Sequence, residues 1–255
     1  MPTVLYDDGN HKCVAFTTLV EGEGVQANQF AIIDSGEGIL LDPGGNLTYK
    51  NLLADMAMYF LPSHTRYVFA SHQDPDIVAS VNGWLLITDA KILIAAECER
   101  FLPHFCSKGM TKGRLISIPP IGMDITLGQA ELNIIPAHYL HTVGNFQIYD
   151  PISKILFSGD IGASIVSGEE AADCWTDFNE FLERGSGAAF HRRYMSGNKA
   201  CRYWVKMVRQ LDLEYMVPQH GPHFKGKQMI NLFLDWFEEL ECGIDLISQN
   251  DFRIQ

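Results

Sequence analysis

The run Ser71-His72-Gln73-Asp74-Pro75-Asp76-Ile77 places one imidazole and two carboxylates within five residues, directly after the apolar segment 66–70. Alternate residues of an extended segment share a side, so His72, Asp74 and Asp76 face the same way where a buried strand ends. One nitrogen and two oxygen donors converging there form a metal-binding arrangement, harder in character than a thiolate or all-imidazole site. Three further segments present a ligand-type side chain just past an apolar strand. Residues 134–141 offer His138 and His141, residues 155–160 end in Asp160 after Ser158-Gly159, and residues 216–221 carry His220 before Gly221. Taken alone, a histidine after a strand is more often a hydrogen-bonded structural residue, and an aspartate after glycine a turn former. Functional groups on α/β scaffolds gather on loops at one end of the strands, so the ordered set of four loops points to one shared cleft.

The elements that must position these loops are legible as patterns. Strands are expected at 14–19, 29–33, 38–41, 66–70 and 91–95, then at 115–118, 125–127, 131–135, 146–149 and 154–157, with one more at 214–217. The Asp42-Pro43-Gly44-Gly45 turn leads to Asn46 as a helix N-cap, and Leu52, Leu53, Met56 and Phe60 follow helical spacing. Further helices are expected from Pro75, over 97–105, 177–184 and 188–211 with a break near Gly197, and over 226–240. Strand blocks in both halves, with helices between and after them, predict an α/β fold. Two sheets pack face to face with helices outside them, four layers in a single domain spanning residues 1–255.

Composition narrows the partners. With 19 Lys and Arg against 31 Asp and Glu the formal charge is −12, which argues against nucleic acid and anionic membranes. No uninterrupted apolar run approaches the ~20 residues of a transmembrane helix, and residues 1–12 lack a signal-peptide profile. Six cysteines without a Cys-x-x-Cys pair read as free thiols in a reducing compartment, so a cytoplasmic location is expected.

The order His-x-acid-x-Asp, a distant His, an Asp in a Ser-Gly-Asp turn and a final His before Gly resembles the metallo-β-lactamase superfamily. More closely, it resembles the iron domain of flavodiiron proteins, and among those the stand-alone oxygen-binding diiron proteins. The matching text is SHQDPD, PAHYLHTVGNF, ILFSGDIGAS, FHRRYM and PQHGP, with weaker likeness through QANQFAIIDSGEGILLDPGG, so that most of the chain is covered. The resemblance implies an αββα sandwich in which His72, Asp74 and His141 hold one iron, Asp76 and His220 a second, and Asp160 bridges them. It prefers His141 to His138 as ligand, leaving His138 to packing or support, and it gives Asp42 a position that can orient a ligand imidazole.

Two departures separate this chain from zinc hydrolases of the superfamily. Asp74 stands where they usually carry His, and a third carboxylate favours iron or manganese over zinc. Ile77 stands where the superfamily commonly has a ligand His; it cannot coordinate, so the second metal keeps an open position beside an apolar wall, suited to dioxygen or NO. The resemblance thus implies a non-haem diiron protein that binds O2 (or NO), for sensing or for reduction. The alternative is a zinc or mixed-metal hydrolase that activates water.

No flavodoxin domain, Gly-x-Gly-x-x-Gly or P-loop is present in the 255 residues, so no FMN is expected on this chain. Turnover as an oxidoreductase would need an external flavoprotein, a rubredoxin or another redox partner, and sensing a signalling partner. A homodimer is expected by analogy with flavodiiron pairs. Among the aromatics, Tyr194 is a candidate to hydrogen-bond a bound oxygen species, whereas Trp175, Phe178, Phe181, Trp236, Phe237 and Leu240 read as core. His11, His64, His104, His191 and His223 have no matching role and are taken as structural or exposed.

Overall fold

The computed structural model describes residues 2–20, 22–183 and 186–254. Its first sheet takes seven strands in chain order: β1 (Thr3–Asp7), β2 (His11–Phe16), β3 (Gln29–Asp34), β4 (Glu37–Leu41), β5 (Thr65–Phe69), β6 (Lys91–Ala95) and β7 (Leu115–Ile118). Strands β1 to β4 are antiparallel, and β4 to β7 run parallel. The switch requires a helical crossover, supplied by α1 (Tyr49–Met56), which buries Leu52 and Met56. Helices α2 (Pro75–Val78) and α3 (Val81–Ile87) cross from β5 to β6, the second burying Val81, Trp84 and Leu85.

The second sheet contains β8 (Met123–Leu127), β9 (Ala130–Pro136), β10 (Phe146–Asp150), β11 (Ile155–Phe157), β12 (Tyr215–Val217) and β13 (Phe224–Lys225), in the order β13-β12-β11-β10-β9-β8. Its outer face is covered by α4 (Phe178–Glu183), α5 (Gly187–Tyr194), α6 (Asn198–Val208) and α7 (Lys227–Glu238). Cys201, Trp204, Val205 and Val208 of α6 and Ile230, Phe233, Leu234 and Phe237 of α7 recur at helical spacing and are buried. They pack on Leu156 and Met216, while Phe157 faces the other way and meets Phe30 of the first sheet edge to face, at 5.2 Å between ring centres. Helix, sheet, sheet, helix is the four-layer order expected from the sequence. Among the described residues no helix is long and apolar enough to cross a membrane.

Local boundaries differ from expectation for identifiable reasons. The first helix starts at Tyr49, with Thr48 rather than Asn46 as the flanking residue, because residues 46–48 form a turn in which the Thr48 hydroxyl donates to Gly45 O at 2.9 Å. Phe60 lies past that helix; it packs against Gly38, where even a Cβ would collide with its ring. Residues 99–105 wind as a 3-10 helix, consistent with Pro103 inside them. The chain does break before Asn198, and α4 ends at Glu183; the expected end at Arg184 lies outside the described residues. Strands β1 and β13 escaped the sequence reading, the first because only its pairing with β2 gives it a role, the second because it has two residues.

The sandwich is stitched across at both ends. At one end Asn28 N donates to Gln219 O (2.6 Å) and Phe146 N to Ser71 O (3.0 Å), each bond linking the two halves of the fold. At the other, His11 of β2 sits between Asp34 of β3 (Nδ1–Oδ1 3.0 Å) and Asp150 of β10 (Nε2–Oδ2 2.8 Å), all three buried. Two carboxylate acceptors require both ring nitrogens to carry protons, so His11 is an imidazolium. Burial opposes that charge, but Asp150 and then Asp34 overcome it and raise the imidazole's pKa. Asp150 also accepts from Cys13 Sγ (3.3 Å), Ile152 N (3.1 Å) and Ser153 Oγ, and Asp34 from Gln129 N (2.7 Å).

His11→Ala strands two buried carboxylates and is expected to cost about 3–5 kcal/mol in urea unfolding. The raised imidazole pKa makes its share of stability fully present below the unfolded histidine value. That share is lost as pH rises through the folded value, so the wild-type advantage over the alanine variant should shrink on the alkaline side. An alanine variant as stable as wild type would show the clamp to be idle.

Candidate metal centre

Strands β4, β5, β9, β11 and β12 end on the same edge of the sandwich, and the loop after each carries one of the singled-out groups. Alignment follows from the pairings: β4 and β5 are parallel, β11 and β12 are parallel, and β9 and β11 flank β10 antiparallel to both.

His72 follows β5. Ser71 N donates to Asp42 Oδ1 (2.7 Å), and Ser71 Oγ lies 3.0 Å from His72 Nδ1, so the ring is held through Nδ1 and turns Nε2 to the cleft. Asp42 therefore acts on this imidazole through Ser71 and does not touch the ring. Asp42 has a left-handed backbone (φ 52°), and burial pushes its carboxyl up to about 6. Asp74 stays extended before Pro75, which opens α2, and Asp76 projects from that helix's first turn.

His141 comes from a loop in which Tyr139 (φ 65°) and His141 itself (φ 102°) hold positive φ, a strained conformation for non-glycine residues. The loop is tied by Tyr139 N to Thr142 O (2.7 Å) and by Asn145 Nδ2 to Leu140 O. Asp160 follows Gly159, whose positive φ (55°) turns the chain after β11. His220 donates from Nδ1 to Gln26 O (2.6 Å), which fixes its tautomer and leaves Nε2 free.

These groups fall into two sets sharing one carboxylate. Around Asp160 Oδ2 stand His72 Nε2 (3.7 Å) and His141 Nε2 (3.7 Å), and Asp74 Oδ2 lies 3.6 Å from His72 Nε2 and 3.1 Å from His141 Nε2. Around the other oxygen, Asp160 Oδ1, stands His220 Nε2 (3.5 Å), which is also 3.5 Å from Asp76 Oδ2. Most of these separations are too long for hydrogen bonds. They lie at or slightly beyond the ~3.0–3.4 Å expected between donors bonded to one ion at about 2.1 Å. Buried Asp160 Oδ1 has no hydrogen-bond partner, an orphan that a cation would satisfy. The donor set thus fits two metal ions sharing Asp160.

Electrostatics point the same way. The hydrogen bond from His141 and then the nearby His72 imidazole hold the Asp74 carboxyl far below the usual carboxylate range. Burial disfavours a charged His72, but Asp160, Asp74 and Asp42 outweigh it and lift the imidazole to about 9. Without a metal, protons supply the positive charge that three carboxylates demand.

The cleft over these groups has a volume of about 700 Å³, with apolar walls from Val25, Leu47, Ile165 and Phe190. Tyr194 lines it and meets the His141 ring edge to face at 5.4 Å. Ile77, expected beside the second metal position, is fully buried in the core and is not among the cleft-lining residues, so the apolar wall is built by those other side chains. His138 reaches none of the six; its nitrogens face Val143 O (3.1 Å) and Pro120 O (2.7 Å). Trp175, Phe178 and Phe181 belong to the core under α7.

Sequence reasoning missed three supports. Ser71 and the Gln26 carbonyl hold ligand-type imidazoles, and a backbone carbonyl leaves no trace in side-chain pattern. His191 is the third: it is buried, donates from Nδ1 to Gly187 O (2.6 Å) and accepts Gly162 N at Nε2 (2.9 Å), pinning the loop that carries Asp160. Burial lowers its pKa to about 4, in keeping with that neutral role.

A four-layer sandwich with a His and Asp cleft at one edge of its strands places the chain in the metallo-β-lactamase superfamily, in the form found in flavodiiron cores. Residues 25–221 match the family described as ODP family beta lactamase, and the chain belongs to that family. Its fold superposes on the apo state of chemotaxis sensor ODP from T. denticola with 36% identity and a TM-score of 0.87, over 98% of both chains. A structure described as a peroxy diiron species of chemotaxis sensor ODP gives 37% identity and a TM-score of 0.86, over 98% of this chain and 99% of that one. Rubredoxin oxygen:oxidoreductase from Desulfovibrio gigas shares the fold (TM-score 0.77, 15% identity) over 93% of this chain and 61% of its own. An uncharacterized protein of Methanocaldococcus jannaschii, MJ0732, is 24% identical over 222 residues, 85% of this chain and 53% of that protein. The chain spans about half the length of the curated relatives it matches.

Metal ligation requires neutral imidazoles, so loading a dication into metal-free protein at neutral pH is expected to release protons, His72 contributing most directly. A pH-indicator titration at low buffer strength reads this; binding without proton release would remove His72 from the ligand set.

Proposed function

We propose that this chain is a non-haem diiron protein that binds dioxygen reversibly and reports it, an oxygen sensor rather than a hydrolase. The observation that carries the reading is Asp160: one buried carboxylate whose two oxygens each face a different set of imidazole and carboxylate donors. In this reading His72, Asp74 and His141 hold one iron, Asp76 and His220 the other, and Asp160 both. Iron in its reduced state supplies the electrons that dioxygen binding requires.

The residues of this chain set the conditions for that chemistry. Three carboxylates among three imidazoles favour a hard, redox-active ion. Ile77 contributes no donor, leaving the Asp76–His220 side with fewer protein ligands than the other. The apolar lining of Val25, Leu47, Ile165 and Phe190 suits an uncharged diatomic. The likeness to chemotaxis sensor ODP over nearly the whole chain supports sensing over hydrolysis. Residues 1–255 act in this reading as one diiron domain, with electrons for re-reduction arriving from a separate redox protein.

Protein produced with iron is expected to carry about two irons per chain. Exposing the reduced protein to O2 should give a visible absorption band that persists over many seconds. Asp160→Ala should lose most of the iron and the band while keeping the far-UV circular dichroism. Full zinc occupancy in iron-supplemented protein, with no spectral response to O2, would overturn the reading.

A further inference from the structure

Outside the cleft, Cys201 on α6 and Cys242 after α7 stand apart from the other cysteines. Both are buried, both are free thiols, and their sulfurs lie 3.7 Å apart although 41 residues separate them. A disulfide needs about 2.05 Å between sulfurs, so oxidation would draw this pair closer.

Cys242 opens a terminal stretch that is seated on the site's support. Gly243 (φ 50°) packs its Cα against the carbonyls of Met195 and Ser196, so closely that a Cβ would collide with both. Ile244 N donates to Ser196 O (2.9 Å), Ser196 N donates to Tyr139 O (3.1 Å), and Asp245 Oδ2 accepts from Asn198 N (2.6 Å). Tyr139 lies two residues before His141 in the same strained loop, and Tyr194, just before Met195, packs on the His141 ring.

We propose that Cys201 and Cys242 are a modification site, a dithiol that hydrogen peroxide oxidises to a disulfide, fastening residues 242–254 onto the support of the His141 loop. Either thiol can donate across the gap; Cys242, at the head of the stretch whose opening admits the peroxide, is taken as the attacking sulfur. As thiolate it attacks one peroxide oxygen; the O–O bond breaks, giving a sulfenic acid and, after protonation, water. Cys201 sulfur then attacks the sulfenic sulfur, the S–S bond forms, the S–O bond breaks, and a second water leaves. Two thiols and one peroxide become one disulfide and two waters, and a small dithiol restores the pair by exchange. Access comes from opening of the stretch after Cys242, whose side chains Ile244, Leu246, Ile247 and Phe252 are exposed.

The test is peptide mapping of the full chain after stoichiometric hydrogen peroxide, under non-reducing conditions. The expected product is a linked peptide pair carrying Cys201 and Cys242, reversed by dithiothreitol, together with several-fold slower proteolysis within residues 243–254. In Cys201→Ser both the link and the peroxide-dependent protection should vanish. Oxidation confined to the less buried Cys106 or Cys174 would overturn the proposal, as would Cys242 sulfinic acid without a link. These readouts do not involve iron, so they stand or fall separately from oxygen binding.

Discussion

Three carboxylates, Asp74, Asp76 and Asp160, converge with three imidazoles at one edge of the sandwich, and this charge constraint governs the surrounding structure. Like charges a few ångströms apart repel strongly once water is excluded, and Asp160 is buried. Positive charge must therefore be supplied, by a proton on His72 or by cations. The local backbone has features that serve the convergence at some cost: positive φ at Asp42 and His141, and interlayer bonds such as Asn28 to Gln219 and Phe146 to Ser71. Strain of this kind persists only where surrounding contacts over-determine it.

The opposite edge meets the same electrostatic problem with a different solution. There Asp34 and Asp150 share one imidazolium on His11, which offsets one of their two charges, and backbone and side-chain donors close the network. The cleft edge keeps an orphaned oxygen on Asp160 and donor gaps beyond hydrogen-bond length. One end of the fold is closed by a shared imidazolium, and the other keeps a buried carboxylate oxygen without a partner.

Much of this was legible in the sequence because the signals were local. Each ligand-type residue follows an apolar strand, so the strand pattern and the motif confirm one another, and Pro75 marks the helix start that turns Asp76 inward. The continuous apolar runs within β6 (Ile92 to Ala95) and β11 (Ile155–Phe157) reveal buried strands wherever they fall. What escaped depends on tertiary pairing. His11 looked like a stray histidine because its partners lie 23 and 139 residues away. Gln26 acts through its carbonyl, and His191 through a backbone amide that no pattern displays. Ile77 was read as lying beside the second metal position, yet its side chain turns into the core, where the burial of a short amphipathic helix directs it.

The parallel pairing of β11 with β12 carries a consequence for how the molecule comes to exist. Register joins Ile155 to Tyr215 and Phe157 to Val217, so Asp160 and His220 become neighbours only when segments sixty residues apart have met. Helices α4, α5 and α6 lie between them, and long-range pairing of this kind forms slowly because loop closure precedes its reward. The half of the site around His72 and Asp74 can take shape on a local strand–helix unit, while Asp160 meets His220 only once β12 has paired with β11. A partly folded chain therefore presents only a fragment of the six-residue cluster.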